Sequence, residues 1–156
     1  MRATGIIRRI DDLGRIVIPK EIRRTMRIRE GDPLEIFTDL REGIVCFKKY
    51  SPLGDMENIV YTAEKLLIKY GVNAAIYDRD NKITGGKIFP NEASPAWAYT
   101  LDDWAFEDER GACFKVHNIY VNGEVYGFIV YIDTKQEAKE GIIAAKRLIA
   151  TVLEED

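Results

Sequence analysis

The sequence predicts an α+β protein of two modules: a basic, strand-rich module over residues 1–53, and an acidic module over 54–156 whose antiparallel sheet packs against helices. Three observations lead there. Charge changes sign along the chain, since residues 1–50 carry 12 Lys/Arg against 8 Asp/Glu, a net +4, and residues 51–156 carry 11 against 18, a net −7. Short β-branched runs punctuated by Gly, Asp and Pro fill the first module, and Asn122-Gly123 between two alternating runs is a strong hairpin signal. Two segments, Met56–Tyr70 and Ala138–Val152, set apolar residues at steps of 4 and 3, which is the spacing of one helix face.

In the basic module, Gly5–Ile10 reads as a first strand, Asp11, Asp12 and Gly14 as a turn, and Arg15–Ile18 as a second strand. Pro19 cannot donate to a sheet ladder, so it ends that strand, and its fixed φ suits a helix entry. Lys20–Met26 then reads as a short helix with Ile22 and Met26 as its buried stripe. Gly31, Asp32 and Pro33 turn the chain into a hairpin of Leu34–Thr38 and Ile44–Lys49 around Arg41, Glu42 and Gly43. The run SPLG at 51–54 is the expected linker.

In the acidic module, residues 55–70 predict a helix capped by Asp55 and ended by Gly71. Ala74–Tyr77 and a short strand from Ile83 flank the turn DRDNK, and the loop GGKIFPNEASP follows. Ala96–Phe106 reads as helical, Ala112–Val121 and Val125–Asp133 as the hairpin, and Glu137–Leu153 as the last helix. The order α-β-β-α-β-β-α looks like a small GAF- or PAS-like sensor domain. The two striped helices serve either their own sheet or a bundle with another subunit.

Composition excludes several classes. With 46% hydrophobic and 31% charged residues the chain is of globular type, neither disordered nor fibrous. No apolar run approaches the roughly 20 residues that span a bilayer, and MRATGIIRRIDD mixes charges of both signs, unlike a signal peptide. Cys46, Cys113 and the single His117 form neither a zinc pattern nor a disulfide framework, so a cytoplasmic protein with reduced thiols and no membrane partner is expected. About 50 residues without metal or disulfide enclose little core. Ile6, Ile7, Ile10, Ile16, Leu34 and Phe37 nevertheless ask for burial, which a second copy of the chain would supply.

TGIIRRIDDLGRIVIPKEIRRTMRIREGDPLEIF, followed by a hydrophobic hairpin strand and KKYSP, resembles the AbrB superfamily of bacterial transition-state and sporulation regulators. The resemblance covers residues 1–53. It implies a swapped-hairpin domain, in which two chains interleave strands into one dimeric barrel-like unit, and a GAF-like second domain. It also implies binding to double-stranded DNA through Arg8 and Arg9 of the first strand, Arg15 of LGR, and Arg23 and Arg24 of the helix. At Arg9 the family also uses lysine, so that contact reads as one to phosphate. Arginine forks onto guanine edges and contacts phosphates, and such dimers read DNA shape more than a strict sequence. The bland alternative is a solvated face in which Arg23 and Arg24 pair with Asp11, Asp12, Glu21 or Glu30. Lys20 reads as helix-start geometry first, and Asp11 and Asp12 as turn formers rather than metal ligands.

The second module offers no nucleophile elbow, phosphate loop or metal motif, so neither enzyme chemistry nor a cofactor is expected. Trp97, Tyr99, Trp104 and Phe106 read as core before they read as the lining of a pocket for a small-molecule effector, and His117 reads as a plain strand residue. The sequence thus points to a DNA-binding transcriptional regulator that is a homodimer through 1–53 and a homotetramer if 54–156 also self-associates. The rival is an antitoxin-like protein whose C-terminal part binds a protein partner.

Overall fold

The computed structural model describes residues 1–132 and 137–155. They form an α+β chain with antiparallel sheets, divided into two compact units, Met1–Tyr50 and Ser51–Asp156.

The first unit contains α1 (Lys20–Thr25) and the hairpin β1 (Leu34–Asp39) and β2 (Ile44–Lys49). The hairpin register pairs Leu34 with Lys49 and Asp39 with Ile44. Pro19 stands at the helix N-terminus as expected. The C-terminus closes by a Schellman motif, with Arg27 N–H on Arg24 O (3.2 Å) and Ile28 N–H on Arg23 O (2.8 Å). This forces Arg27 to φ 54°, a left-handed conformation costing a non-glycine residue roughly 1–2 kcal/mol. Lys49 from β2 stakes the motif by donating to Arg27 O at 2.9 Å, while lying 3.9 Å from Asp32.

Two expectations fail here. Gly5–Ile10 and Arg15–Ile18 form no strands: residues 1–19 hold a turn at 12–14 and otherwise irregular backbone. A strand exists only through a ladder, and the single chain offers these segments no neighbour to pair with. The stripe Ile22–Met26 is likewise not buried, with Met26 44% exposed. No residue of the first unit is buried at all.

The second unit is a five-stranded antiparallel sheet in the order β4-β3-β7-β6-β5. The strands are β3 (Ala74–Asp78), β4 (Lys82–Thr84), β5 (Trp104–Glu107), β6 (Cys113–Val121) and β7 (Glu124–Tyr131). Helices α2 (Pro52–Asp55), α3 (Glu57–Lys69) and α4 (Glu137–Glu155) complete it. Val60, Ala63 and Leu67 of α3 meet Ile142, Ala145 and Ile149 of α4 in one core with Ile76, Ile119 and Ile129 of the sheet. The predicted 4-3 stripes are thus the inward faces of these helices, except at Tyr70, which is exposed. A second core holds Tyr77, Phe89, Trp97, Phe114 and Phe128. Asn122 (φ 50°) and Gly123 (φ 82°) form the primed turn between β6 and β7, which right-handed strand twist favours.

Three readings of this unit need correction. SPLG is not a free linker, because Pro52–Asp55 is helical, capped by Ser51 Oγ on Gly54 N–H (3.0 Å), with Leu53 fully buried. Ser51–Leu53 thereby fall with the second unit, and Met56 rather than Asp55 precedes α3. Ala96–Phe106 is not one helix but a 3-10 turn over Pro95–Tyr99 followed by β5. The turn buries Trp97, the loop at 100–103 redirects the chain, and edge strand β5 pairs Trp104 with Val116 and Phe106 with Phe114. Of the predicted strand Val125–Asp133, Asp133 lies outside the described residues.

Candidate nucleic-acid interface

Arg8, Arg9, Arg15, Arg23 and Arg24 are all exposed. Arg23 and Arg24 project from α1, held in place by Pro19 at one end and the Schellman closure at the other. They lie in the helix's last turn, where cations complement the exposed carbonyl ends. Among the described residues neither forms an ion pair, so their pairing with Asp11, Asp12, Glu21 or Glu30 does not occur; Arg8 and Arg9 form no ion pair there either. Arg8 makes only a contact to the neighbouring carbonyl, Nη1 to Ile7 O at 3.2 Å.

Arg15 is built differently. Asp11 Oδ1 accepts from the N–H groups of Leu13 (2.9 Å) and Arg15 (2.8 Å), and Asp11 Oδ2 accepts Arg15 Nε at 2.8 Å. Asp11 N–H returns to Arg15 O at 3.0 Å. Asp11 is therefore the organiser of the turn, as its residue type suggested. The N–H of Arg15 holds its carboxyl below the usual range against an opposing desolvation, and the Arg15 guanidinium and the Leu13 N–H add to the effect. The bond occupies Nε alone, and with the Arg15 side chain 71% exposed the terminal nitrogens stay open to solvent.

Around these cations lie uncovered apolar side chains: Ile7 (87% exposed), Ile16 (55%) and Val17 (70%). Phe37 and Phe47 of the hairpin are also exposed. Charge and apolar surface on one small unit suit a polyanion and a second protein surface. Among the described residues no cluster of His, Cys, Asp and Glu converges as a metal site, and no helix is long and apolar enough to cross a membrane.

The second unit holds a polar cluster that sequence spacing concealed. His117 Nε2 lies 2.8 Å from Asp103 Oδ1, which also accepts the Tyr131 hydroxyl. Asp102 accepts Asn118 N–H (3.2 Å) and Lys146 Nζ (3.2 Å). Desolvation works to raise Asp103, but the Tyr131 and His117 hydrogen bonds, with the charges of His117 and Lys139, outweigh it and hold the carboxyl low. These bonds fasten the 100–103 loop to β6, β7 and α4. Fourteen residues separate His117 from Asp103, so only the pairing of β5 with β6 brings them together. Of the four aromatics, Trp97 is core, Phe106 stacks between Trp104 and Phe114, and Tyr99 points to solvent at 88% exposure.

The family described as "Antidote-toxin recognition MazE, bacterial antitoxin" matches residues 7–49. Stage V sporulation protein T of Bacillus subtilis (strain 168) is 60% identical over 81 residues, 51% of this chain and 45% of that protein. The match thus spans a little under half of that relative's length. Transition state regulatory protein AbrB of the same organism is 38% identical over 88 residues, 56% of this chain and 75% of AbrB. The solution structure of the N-terminal DNA recognition domain of Bacillus subtilis AbrB shares 52% identity, covering 33% of this chain and 94% of that domain, with a TM-score of 0.28.

Proposed function

Because the chain belongs to the AbrB family of transition-state regulators, we propose that it is a non-enzymatic bacterial transcription regulator whose first unit binds duplex DNA through Arg8, Arg9, Arg15, Arg23 and Arg24. One observation carries the reading: five exposed arginines, four of them free of carboxylate partners among the described residues, sit on a unit of net +4 in which nothing is buried. A core is then completed by a second copy, and the swapped-hairpin arrangement gives residues 5–18 the ladder partner that one chain lacks. Dimerisation also doubles the basic charge presented to DNA, which supports steering toward phosphate.

The second unit fits a GAF-like module for assembly. Its sheet runs second-first-fifth-fourth-third in chain order, its two long helices share one core, and Tyr61, Ile68 and Ile143 remain exposed on them. Self-association through these helices would join two DNA-binding dimers into a tetramer. A small-molecule effector has less support, since the sheet face away from α3 and α4 is filled by Phe89, Trp97 and Phe114.

Binding of Arg8→Ala, Arg15→Ala, Arg23→Ala and Arg24→Ala proteins to duplex DNA over a range of salt tests the assignment. A base contact should cost about 1–3 kcal/mol at a subset of sequences, and a phosphate contact should lower the salt slope by about 1. Wild-type affinity in all four would sink it. The antitoxin-family match at 7–49 favours a second reading, with the C-terminal part gripping a protein partner. Limited proteolysis of the chain alone separates the two: a protected fragment from near Ser51 supports the regulator, and rapid digestion of that region supports a tail that folds on its partner.

A further inference from the structure

Consecutive residues at the boundary are tied into different units. Tyr50 N–H donates to Pro33 O at 3.1 Å in the first. Ser51 Oγ donates to Asp78 Oδ2 at 2.9 Å in the second. The connection therefore has no unanchored residue. The tie to the second unit is double, because Leu53 is fully buried and lies over Gly127, the residue paired with Asp78 in the β3–β7 ladder. A Cβ on Gly127 would come within 2.4 Å of Leu53 Cδ1 and 2.1 Å of Tyr77 O, so only glycine leaves room for the leucine. One rung of the sheet thus holds both Ser51 and Leu53.

The same carboxylate has a second task. Asp78 Oδ1 accepts the N–H groups of Asp80 (2.8 Å) and Asn81 (2.7 Å), forming the turn into β4. Ala93 N–H comes back to Asp80 O at 2.8 Å, so the loop that brings Phe89 to the aromatic core hangs on that turn. Ser51 and Asp78 are only half-buried, so water competes for their bond.

We propose that Ser51 and Asp78 form a latch that sets the length of the tether between the two units. Closed, it keeps α2 folded on the sheet and the tether at one peptide. Open, it leaves residues 51–56 held by the burial of Leu53 alone, so that they fray into slack more readily, and a displacement of the 78–81 turn loosens it because one carboxylate serves both. The latch stands on geometry alone; its consequence rests on the proposed DNA-binding role and on the proposed self-association of the second unit, since tether length then sets the effective concentration at which a second DNA-binding dimer meets its site.

Hydrogen exchange on the full chain, read by mass spectrometry, tests it with two variants. Asp78→Ala removes the acceptor. Ser51→Asp keeps a good helix cap for Gly54 but sets like charges against each other. Exchange over 52–56 should accelerate about tenfold or more in both, with β6 and β7 unchanged. Unchanged exchange over 52–56 in Ser51→Asp would overturn the proposal, as would wild-type exchange there as fast as in an unfolded peptide. Where Asp78→Ala unfolds the whole unit, Ser51→Asp decides, since it leaves the Asp78 turn bonds in place. On duplexes carrying two sites at varied spacing, the open-latch variants should tolerate a wider range of spacings than wild type. Altered exchange with no binding to any duplex would leave the latch standing and count against the DNA-binding reading instead.

Discussion

Truncating Ile7 or Ile16 to alanine discriminates sharply between a lone first unit and one completed by a partner. In the single chain Ile7 is 87% exposed and Ile16 is 55% exposed. Trimming side chains so exposed should change stability by no more than about 0.5 kcal/mol. If a second copy covers them, each truncation should instead cost about 2–5 kcal/mol, and a dimer carries each site twice. A module of this length has only about 3–8 kcal/mol to lose, so either substitution would remove most of its stability. Urea unfolding of the full chain at low and high protein concentration gives the answer. The midpoint of the first unit should rise with concentration in wild type, and both variants should fall well below it. A concentration-independent midpoint, with both variants within about 0.5 kcal/mol of wild type, would refute the shared core.

Two further outcomes concern single side chains. Asp103 titrates below its ordinary value in the fold, so its contribution is present above about pH 4 and is withdrawn as pH falls through the depressed value. The stability gap between wild type and Asp103→Asn should therefore close below about pH 4, as urea midpoints across pH will show. Lys49→Met leaves the Arg27 carbonyl and Asp32 without this cation, and should cost the first unit about 1–3 kcal/mol while the second unit's calorimetric transition stays in place.

The parts of the fold written in the sequence were those set by neighbouring residues. Asn122-Gly123 specified its turn because the two left-handed positions it needs are local, and the stripes of α3 and α4 were visible because one helix face repeats every few residues. The failures arose where the deciding partner is remote or absent. Arg15–Ile18 has a strand's composition but no ladder in its own chain. Ala96–Phe106 has apolar residues at helical spacing, yet Asp102 and Asp103 are claimed by Lys146, Asn118 and His117, and the chain turns to pair with β6. SPLG reads as a linker by composition, and only Gly127, more than seventy residues on, explains why Leu53 is seated there. The candidate arginines were legible as residue types, whereas the Asp11 clasp on Arg15 needed coordinates.

The absence of any buried residue before Ser51 bears on how the chain is made. Synthesis runs from the N-terminus at about 5–20 residues per second, so the first unit emerges about 5–20 s before the last helix is complete. Throughout that interval its isoleucines face water with nothing of their own to pack against. Its sequence breaks them up: Arg8-Arg9 follows Ile6-Ile7, Asp11-Asp12 follows Ile10, and Arg15 precedes Ile16. Charged residues at such positions act as gatekeepers against aggregation, interrupting every apolar run before it is long enough to stack with its like. Arginines proposed to contact DNA in the finished protein would thus guard the nascent one, and replacing several of them together by alanine should lower soluble yield during synthesis even where the assembled protein would tolerate the change.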